Sequence, residues 1–285
     1  MDIEILSRTE TSMKLLISGV KPPFVNTLRR ILIAEVPKMA IDRVEFTMGS
    51  VRKGDQASDE KTYESKTPLF DEIIAHRLAM VPIPTDLDLF GFRDECTCGG
   101  EGCPNCEIMY SLWKVGPCTV YSGDLELAQA DDRFAIKEKL IPIVNLNEKQ
   151  GLVLYATAIL GKGKDHAKWQ AANAVGYRYY PEFGLDTKTC TLCGECARAC
   201  PRELIEVDKK MARFVDGYEQ HCNLCNACVD ACEPGALVLA PDETRFIFQF
   251  ETDGALTASR VLLEAMKIGV SKFEDFRTSL GELGK

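Results

Sequence analysis

The chain has 285 residues, 46% hydrophobic and 27% charged, which fits a folded globular protein and excludes a disordered or fibrous one. Its 34 basic and 43 acidic side chains give a formal charge of −9, which repels phosphate backbones and speaks against direct grip on nucleic acid. No run approaches the ~18 apolar residues of a membrane span, and no charged segment leads into an apolar one at the amino terminus. A cytoplasmic protein of one large domain or two to three ordinary ones is expected, without membrane contact.

The first residues alternate, with Ile3 and Ile5, then Met13, Leu15 and Ile17, on one side of two predicted strands. Pro22 and Pro23 suit the entry to a helix, whose apolar stripe is Phe24, Leu28, Ile31 and Leu32, with Arg29 and Arg30 pointing elsewhere. "MAIDRVEF" returns to a strand, and the polar residues 50–66 are expected to form an exposed loop. "DEIIAHRLAMVPIP" predicts a short helix running into a strand that prolines end.

"CTCGGEGCPNC" then places Cys96, Cys98, Cys103 and Cys106 within eleven residues that include three glycines. Glycine permits the positive φ angles that turn four thiolates toward one ion. A closed tetrahedral Zn2+ site, structural rather than catalytic, is the leading reading. A loop that binds no metal and a further iron–sulfur cluster are the alternatives. Cys118 has no partner in the sequence and is expected to be a buried small hydrophobe. The segment "FAIKEKLIPIVNLNEKQGLVLYATAILGKG" supplies more strand, punctuated by Gly151 and Gly161.

Thirteen cysteines grouped as four, one, four and four do not suit a disulfide framework in a cytosolic chain; the grouping argues for metal. Cys190, Cys193, Cys196 and Cys200 follow C-x2-C-x2-C-x3-C, and Cys222, Cys225, Cys228 and Cys232 repeat it. In two-cluster ferredoxins the fourth cysteine of such a run ligates the other cluster. On that pattern, cluster one takes Cys190, Cys193, Cys196 and Cys232, and cluster two takes Cys222, Cys225, Cys228 and Cys200. Each run leads into apolar residues, Leu204 and Ile205 or Ala236, Leu237 and Val238, as a short core over a cluster requires. Two four-cysteine zinc knuckles are the alternative, although zinc sites more often pair C-x2-C units across a long gap. Pro201 follows the first run directly, whereas Glu233 intervenes before Pro234 in the second, a departure that weakens the second match. His221, beside Cys222, is either a supporting hydrogen bonder or a surface residue.

"RFIFQFET" alternates Phe246, Phe248 and Phe250, and a helix follows with Leu256, Leu263, Met266 and Val270 on one stripe and Leu262 beside it. That stripe is wider than one sheet contact needs, and an exposed remainder would mark a partner surface. The two ends of the chain thus read as halves of one α+β unit with everything between inserted.

"PFVNTLRRILIAEVPKMAIDRVEF", "AHRLAMVPIP", "GPCTVYSGDL" and "GKGKDHAKWQAANAVGYRYYP" occur in the order of the blocks of the alpha-like subunits of cellular RNA polymerases. With the cysteine insert, nearly the whole chain resembles the D-type branch of that family, to which the eukaryotic third-largest subunit is related. The resemblance implies an α+β fold: a split alpha-like dimerisation domain (residues 1–46 plus 242–285), an inserted mainly-β domain (47–178) and a ferredoxin-like iron–sulfur domain (179–241). It implies two [4Fe–4S] clusters, structural or redox-sensitive, and zinc at the four-cysteine loop, where eukaryotic relatives hold that ion. The implied role is a non-catalytic assembly platform of a nucleotidyltransferase complex, inactive alone. Its implied partners are a smaller alpha-like subunit L, the large catalytic subunits, and the small subunits N and P. Phe24, Asn26, Leu28, Arg29, Arg30 and Ile31, with Leu262, Leu263 and Met266, would make dimer and large-subunit contacts. His76, Arg77 and "GKGKDHAKW" would face other subunits.

The competing function is an electron-transfer subunit of an oxidoreductase. Against it, no G-x-G-x-x-G follows a predicted strand, and "GKGKDH" lacks the spacing of a P-loop. His76, His166 and His221 are far apart, and no nucleophile–base or paired-carboxylate arrangement is evident.

Overall fold

The computed structural model describes residues 1–52, 62–128, 131–208 and 211–283. The chain opens with strands β1 (Asp2–Arg8) and β2 (Ser12–Ser18), helix α1 (Pro22–Ala34), and strands β3 (Pro37–Phe46), β4 (Ser50–Arg52) and β5 (Thr62–Glu64). Helix α2 (Asp71–Ala79) is followed by β6 (Glu107–Val115), β7 (Cys118–Tyr121), β8 (Glu126–Leu127), β9 (Pro142–Leu146), β10 (Gly151–Lys162) and β11 (Ala172–Leu185). Then come α3 (Glu195–Ala199), β12 (Ile205–Val207), β13 (Ala212–Phe214), α4 (Ala227–Asp230), β14 (Leu237–Thr252) and α5 (Ala258–Leu283). These elements form two compact units, one of Met1–Arg8, Met13–Arg29 and Ala174–Phe250, the other of Thr9–Ser12, Arg30–Asn173 and Glu251–Lys285.

In the first unit, four strands pair in the order β1-β2-β14-β11. Met13, Leu15 and Ile17 of β2 and Phe246, Phe248 and Phe250 of β14 are buried, as alternation demands of a half-covered sheet. Ile3 and Ile5 share that face, opposite Ile17 and Leu15, yet are 49% and 54% exposed, against expectation. They stand on an edge strand, where nothing within this unit covers them. Ile247 is also buried, so the far side of β14 is covered too.

Strands β11 and β14 run on into the cysteine region without a break, so residues 178 and 241, expected as domain boundaries, lie inside continuous strands. Phe183 and Leu185 of β11 and Leu237 and Leu239 of β14 pack with Cys196, Ile205 and Cys228 in one small core. A long hydrogen-bonded strand is a stiffer support for a small core than a loop would be.

In the second unit, sheet β3-β10-β6-β8 buries one face against α2, through Ile74 and Leu78 one helical turn apart. The strand expected after α2 does not form. Val81 and Ile83 are buried, but Pro82 and Pro84 lack the N–H groups a ladder needs, and the segment is held instead by Thr85. Its hydroxyl accepts from the Met39 amide (3.0 Å), and its amide donates to the Ala255 carbonyl (3.0 Å). Of the loop expected over 50–66, residues 50–52 and 62–64 pair as β4 and β5, while 53–61 lie outside the described residues.

Gly161 does not interrupt a strand, as its punctuation of the sequence suggested; it lies within β10 under the indole of Trp169. A Cβ there would overlap that ring, which is itself tied to the Ile159 carbonyl by its N–H (3.1 Å). Gly161→Ala is therefore expected to destabilise the protein by about 1–3 kcal/mol, the usual cost of overpacking, read as a lowered denaturation midpoint.

Helix α1 buries Val25, Leu28, Ile31 and Leu32, with Phe24 half-buried. Val25, outside the expected stripe, is wholly buried. Helix α5 differs more from expectation. Its buried residues are Ala258, Val261 and Ala265, whereas Leu263 and Val270 are 53% and 56% exposed and Leu256 precedes the helix. Small residues let α5 lie close, so that a Cβ on Gly269 would sit 3.5 Å from Ile31 Cδ1. From Ser271 to Glu282 every residue of α5 is exposed, including Phe273, Phe276 and Leu280.

Candidate metal centres

Cys96, Cys98, Cys103 and Cys106 converge, with all four sulfurs within 4.8 Å of one another. Cys96 and Cys103 are 3.6 Å apart, Cys98 and Cys106 3.7 Å, and Cys103 and Cys106 3.8 Å. Gly99, Gly100 and Gly102, at φ +67°, +86° and +105°, make the reversals between them, a conformation closed to most side chains. Arg93 braces the loop from outside the motif. Its Nε donates to the Gly100 carbonyl (3.0 Å) and its Nη2 to the Glu101 carbonyl (2.9 Å). Cys106 leads directly into β6, which fixes the last ligand to the sheet.

Hydrogen bonding, first from the Gly102 backbone, brings the Cys98 thiol down to about 6, while burial pushes Cys106 up to about 12. A bound cation holds such ligands as thiolates and overrides burial. Among the described residues no fifth Cys, His or carboxylate ligand joins the four sulfurs, which make a closed set able to hold a metal ion. Cys118 takes no part; it is half-buried, its thiol directed at the Val115 carbonyl (3.3 Å).

The other eight cysteines are arranged differently. Among the described residues no three of them bring their sulfurs within 4.8 Å, so they do not gather around one ion. They line two cavities. Cys190, Cys193, Cys196 and Cys232 line one, with Leu185, Val207 and Leu237. Cys200, Cys222, Cys225 and Cys228 line the other, with Arg202 and Phe214.

The two runs repeat in backbone as well as sequence. Leu192 and Leu224 stand at φ +59° and +58°, and Gly194 and Asn226 at +78° and +59°. A leucine in the left-handed region costs about 1–2 kcal/mol, and here it occurs twice at the same step of the motif. Such reversals turn successive N–H groups inward, the concave arrangement that holds anions and iron–sulfur clusters. Donor set, cavities and backbone all fit a thiolate-ligated cluster in each cavity. His221 is exposed.

The residues expected at subunit contacts are placed unevenly. Leu28 and Ile31 are buried in the chain itself, Phe24, Asn26 and Arg29 are half-buried, and Arg30 is exposed. Asn26 Oδ1 accepts from Arg29 Nε (3.1 Å) and Nη2 (3.0 Å). His76 and Arg77 are both exposed, although Arg77 spends Nη1 on the Ile143 carbonyl (2.6 Å). In "GKGKDHAKW", Lys168 is buried against Asp42 (2.6 Å), with Nζ 4.2 Å from the centre of the Trp169 ring, while Lys164 and His166 are exposed. Leu262 and Met266 are half-buried and Leu263 exposed. Phe273, Phe276 and Leu280 are further exposed apolar residues of α5 that the sequence reading missed, although their spacing continues the helical period past Val270.

These features define a class, a mixed α/β protein with a four-cysteine set able to hold a metal ion and a long helix whose distal apolar residues are exposed. A family profile described as the RNA polymerase Rpb3/Rpb11 dimerisation domain matches residues 14–273, and the chain belongs to that family. It is 40% identical over 282 residues to the DNA-directed RNA polymerase subunit Rpo3 of Archaeoglobus fulgidus, covering 99% of this chain and 98% of that protein. It is 38% identical over 282 residues to the Rpo3 of Thermoplasma volcanium (99% and 100%), and 39% identical over 285 to that of Methanothermobacter thermautotrophicus (98% of each).

Proposed function

We propose that the chain is a non-catalytic assembly subunit of a DNA-directed RNA polymerase. It pairs with a smaller alpha-like subunit L and so forms the platform for the large catalytic subunits, with small subunits N and P docking nearby. The observation that carries this reading is the uncovered half of α5, where Phe273 and Phe276 are 63% and 62% exposed in a member of a dimerisation family. Exposed aromatic rings in a helical row are what a partner helix covers. Co-expression with an L-type partner, followed by native mass measurement, is expected to give a one-to-one heterodimer. A chain that stays monomeric beside that partner refutes the reading. The isolated chain is expected to incorporate no nucleotide, since its part is to hold the catalytic subunits.

The split dimerisation domain does the pairing, the inserted domain faces other subunits, and the clusters of the cysteine domain are structural or redox-sensitive. Among the described residues no helix is long and apolar enough to cross a membrane, and the negative charge leaves little scope for direct nucleic-acid contact.

Zn2+ is the ion of the four-cysteine loop, as the all-thiolate tetrahedral set supports. Metal analysis is expected to find one zinc per loop, and Cys98→Ser to lose most of it. Full retention of zinc by that variant would remove Cys98 from the ligand set. The two cavities hold [4Fe–4S] clusters with crossed ligation, Cys232 serving the first and Cys200 the second. Cys232→Ser is expected to damage the cluster beside Cys190 and spare the one beside Cys222; the reverse result refutes the crossing.

A further inference from the structure

The two cysteine cavities are alike in backbone and unlike in charge. Apart from its cysteines, the first is lined by uncharged residues only. The second is lined also by Arg202, and two further cations converge beside it. Arg178, on β11, donates from Nη2 to the carbonyl of Gln220, two residues before Cys222, and Lys14 Nζ donates to the same carbonyl at 3.2 Å. Among the described residues no carboxylate pairs with Lys14, Arg178 or Arg202 within 4.0 Å. The Nε of Arg178 is buried and no protein atom accepts its hydrogen. Burial and then the charge of Arg202 depress the basicity of Arg178, while a Cys222 thiolate favours its charged form. Buried donors and like charges gathered without a counter-ion are costly unless something anionic completes them.

We propose that Arg178 and Arg202 are positioning residues of the second cysteine site, holding an anionic iron–sulfur cluster there and favouring its reduced state, so that the two clusters differ in reduction potential. The proposal rests on the reading that each cavity holds a thiolate-ligated cluster. Such a cluster carries net negative charge and gains one more on reduction, so nearby cations and N–H donors raise its potential. Beside the first cavity Arg198 Nη2 donates to the Cys193 carbonyl (3.4 Å), but that guanidinium is paired with Glu195, so the cluster there has no uncompensated cation among the described residues and is the harder one to reduce.

The test is a dithionite titration of the anaerobically purified full chain, followed by EPR, with iron and sulfide counted on the same samples. The unaltered chain is expected to show two midpoints. Arg178→Gln should lower the higher midpoint and leave the lower one in place, and Arg178→Lys should restore most of the difference. Arg202→Gln, at an exposed position and so little risk to folding, should shift the same midpoint in the same direction. Both midpoints unmoved, or both moved equally, overturns the proposal. An unaltered chain without iron and sulfide overturns the cluster reading itself, and the proposal falls with it.

Discussion

A chain with Phe273→Asp and Phe276→Asp together is expected to lose its pairing with an L-type partner while unfolding at the same temperature as the unaltered chain. Both rings stand on the stretch of α5 where every described residue is exposed, so neither belongs to the buried core of the chain. Truncating a buried aromatic anchor costs about 2 kcal/mol or more, so two weaken association by roughly three orders of magnitude. A carboxylate desolvated against an apolar partner adds to that loss. Sedimentation of the mixed subunits reads the first effect and a melting curve of the chain alone reads the second. A pair of unchanged affinity would remove the distal half of α5 from the interface. Hydrogen exchange offers an independent check. A helical end without tertiary packing is marginal in water, so the amides of residues 273–282 should exchange fast in the free chain and slowly in the pair.

Replacing Cys190, Cys193 and Cys196 together by serine is expected to open residues 186–236 while the sheet of the same unit persists. The hydrophobic cluster of that region has only Cys196, Ile205, Cys228 and Leu237 as buried members, and two of these four are cysteines. A core so small cannot offset the chain entropy of some fifty residues at about 1–2 kcal/mol each, so ligation must supply much of the folding free energy. The sheet has its own core in Leu15, Ile17, Phe246, Phe248 and Phe250, none of which lies against a cysteine cavity. Protection in hydrogen exchange should therefore fall to near zero over 186–236 and hold at 13–17 and 246–250. Because β11 and β14 enter the cysteine region, Phe183, Leu185, Leu237 and Leu239 should fray with it. Pairing with the partner is expected to survive, and joining of the large subunits to fall. Loss of both would mean that the cysteine region supports the whole unit, and loss of neither that the clusters serve something other than assembly. Oxygen attack on the clusters would act in the same direction as the substitutions.

Local chemistry determined much of this protein before any tertiary contact was considered. Four cysteines with three glycines between them can close on one ion wherever the loop sits, because reach and φ freedom are set within eleven residues. The spacing of the twin C-x2-C-x2-C-x3-C runs was likewise legible, although their left-handed steps at Leu192 and Leu224 run against local preference and are imposed by the fold. The alternation of β2 and the proline-led start of α1 were legible for the same reason, since a period of two or 3.6 is a property of neighbouring residues.

Tertiary structure decided what those periods face. Ile3 and Ile5 have the alternation of a covered strand yet lie bare, because burial depends on what stands opposite and β1 is an edge. On α5 the large apolar residues suggested the inner stripe, but Ala258, Val261 and Ala265 occupy it, since the close approach of a neighbouring helix selects small side chains. The exposed row of Leu263, Val270 and Phe273 is left outward for the same reason. Prolines at 82 and 84 let two buried residues run without a ladder, and only the Thr85 bonds show what replaces it. The convergence of Lys14, Arg178 and Arg202 beside Cys222 joins residues some two hundred positions apart in the chain. No local period encodes such a meeting; folding of the sheet brings it about.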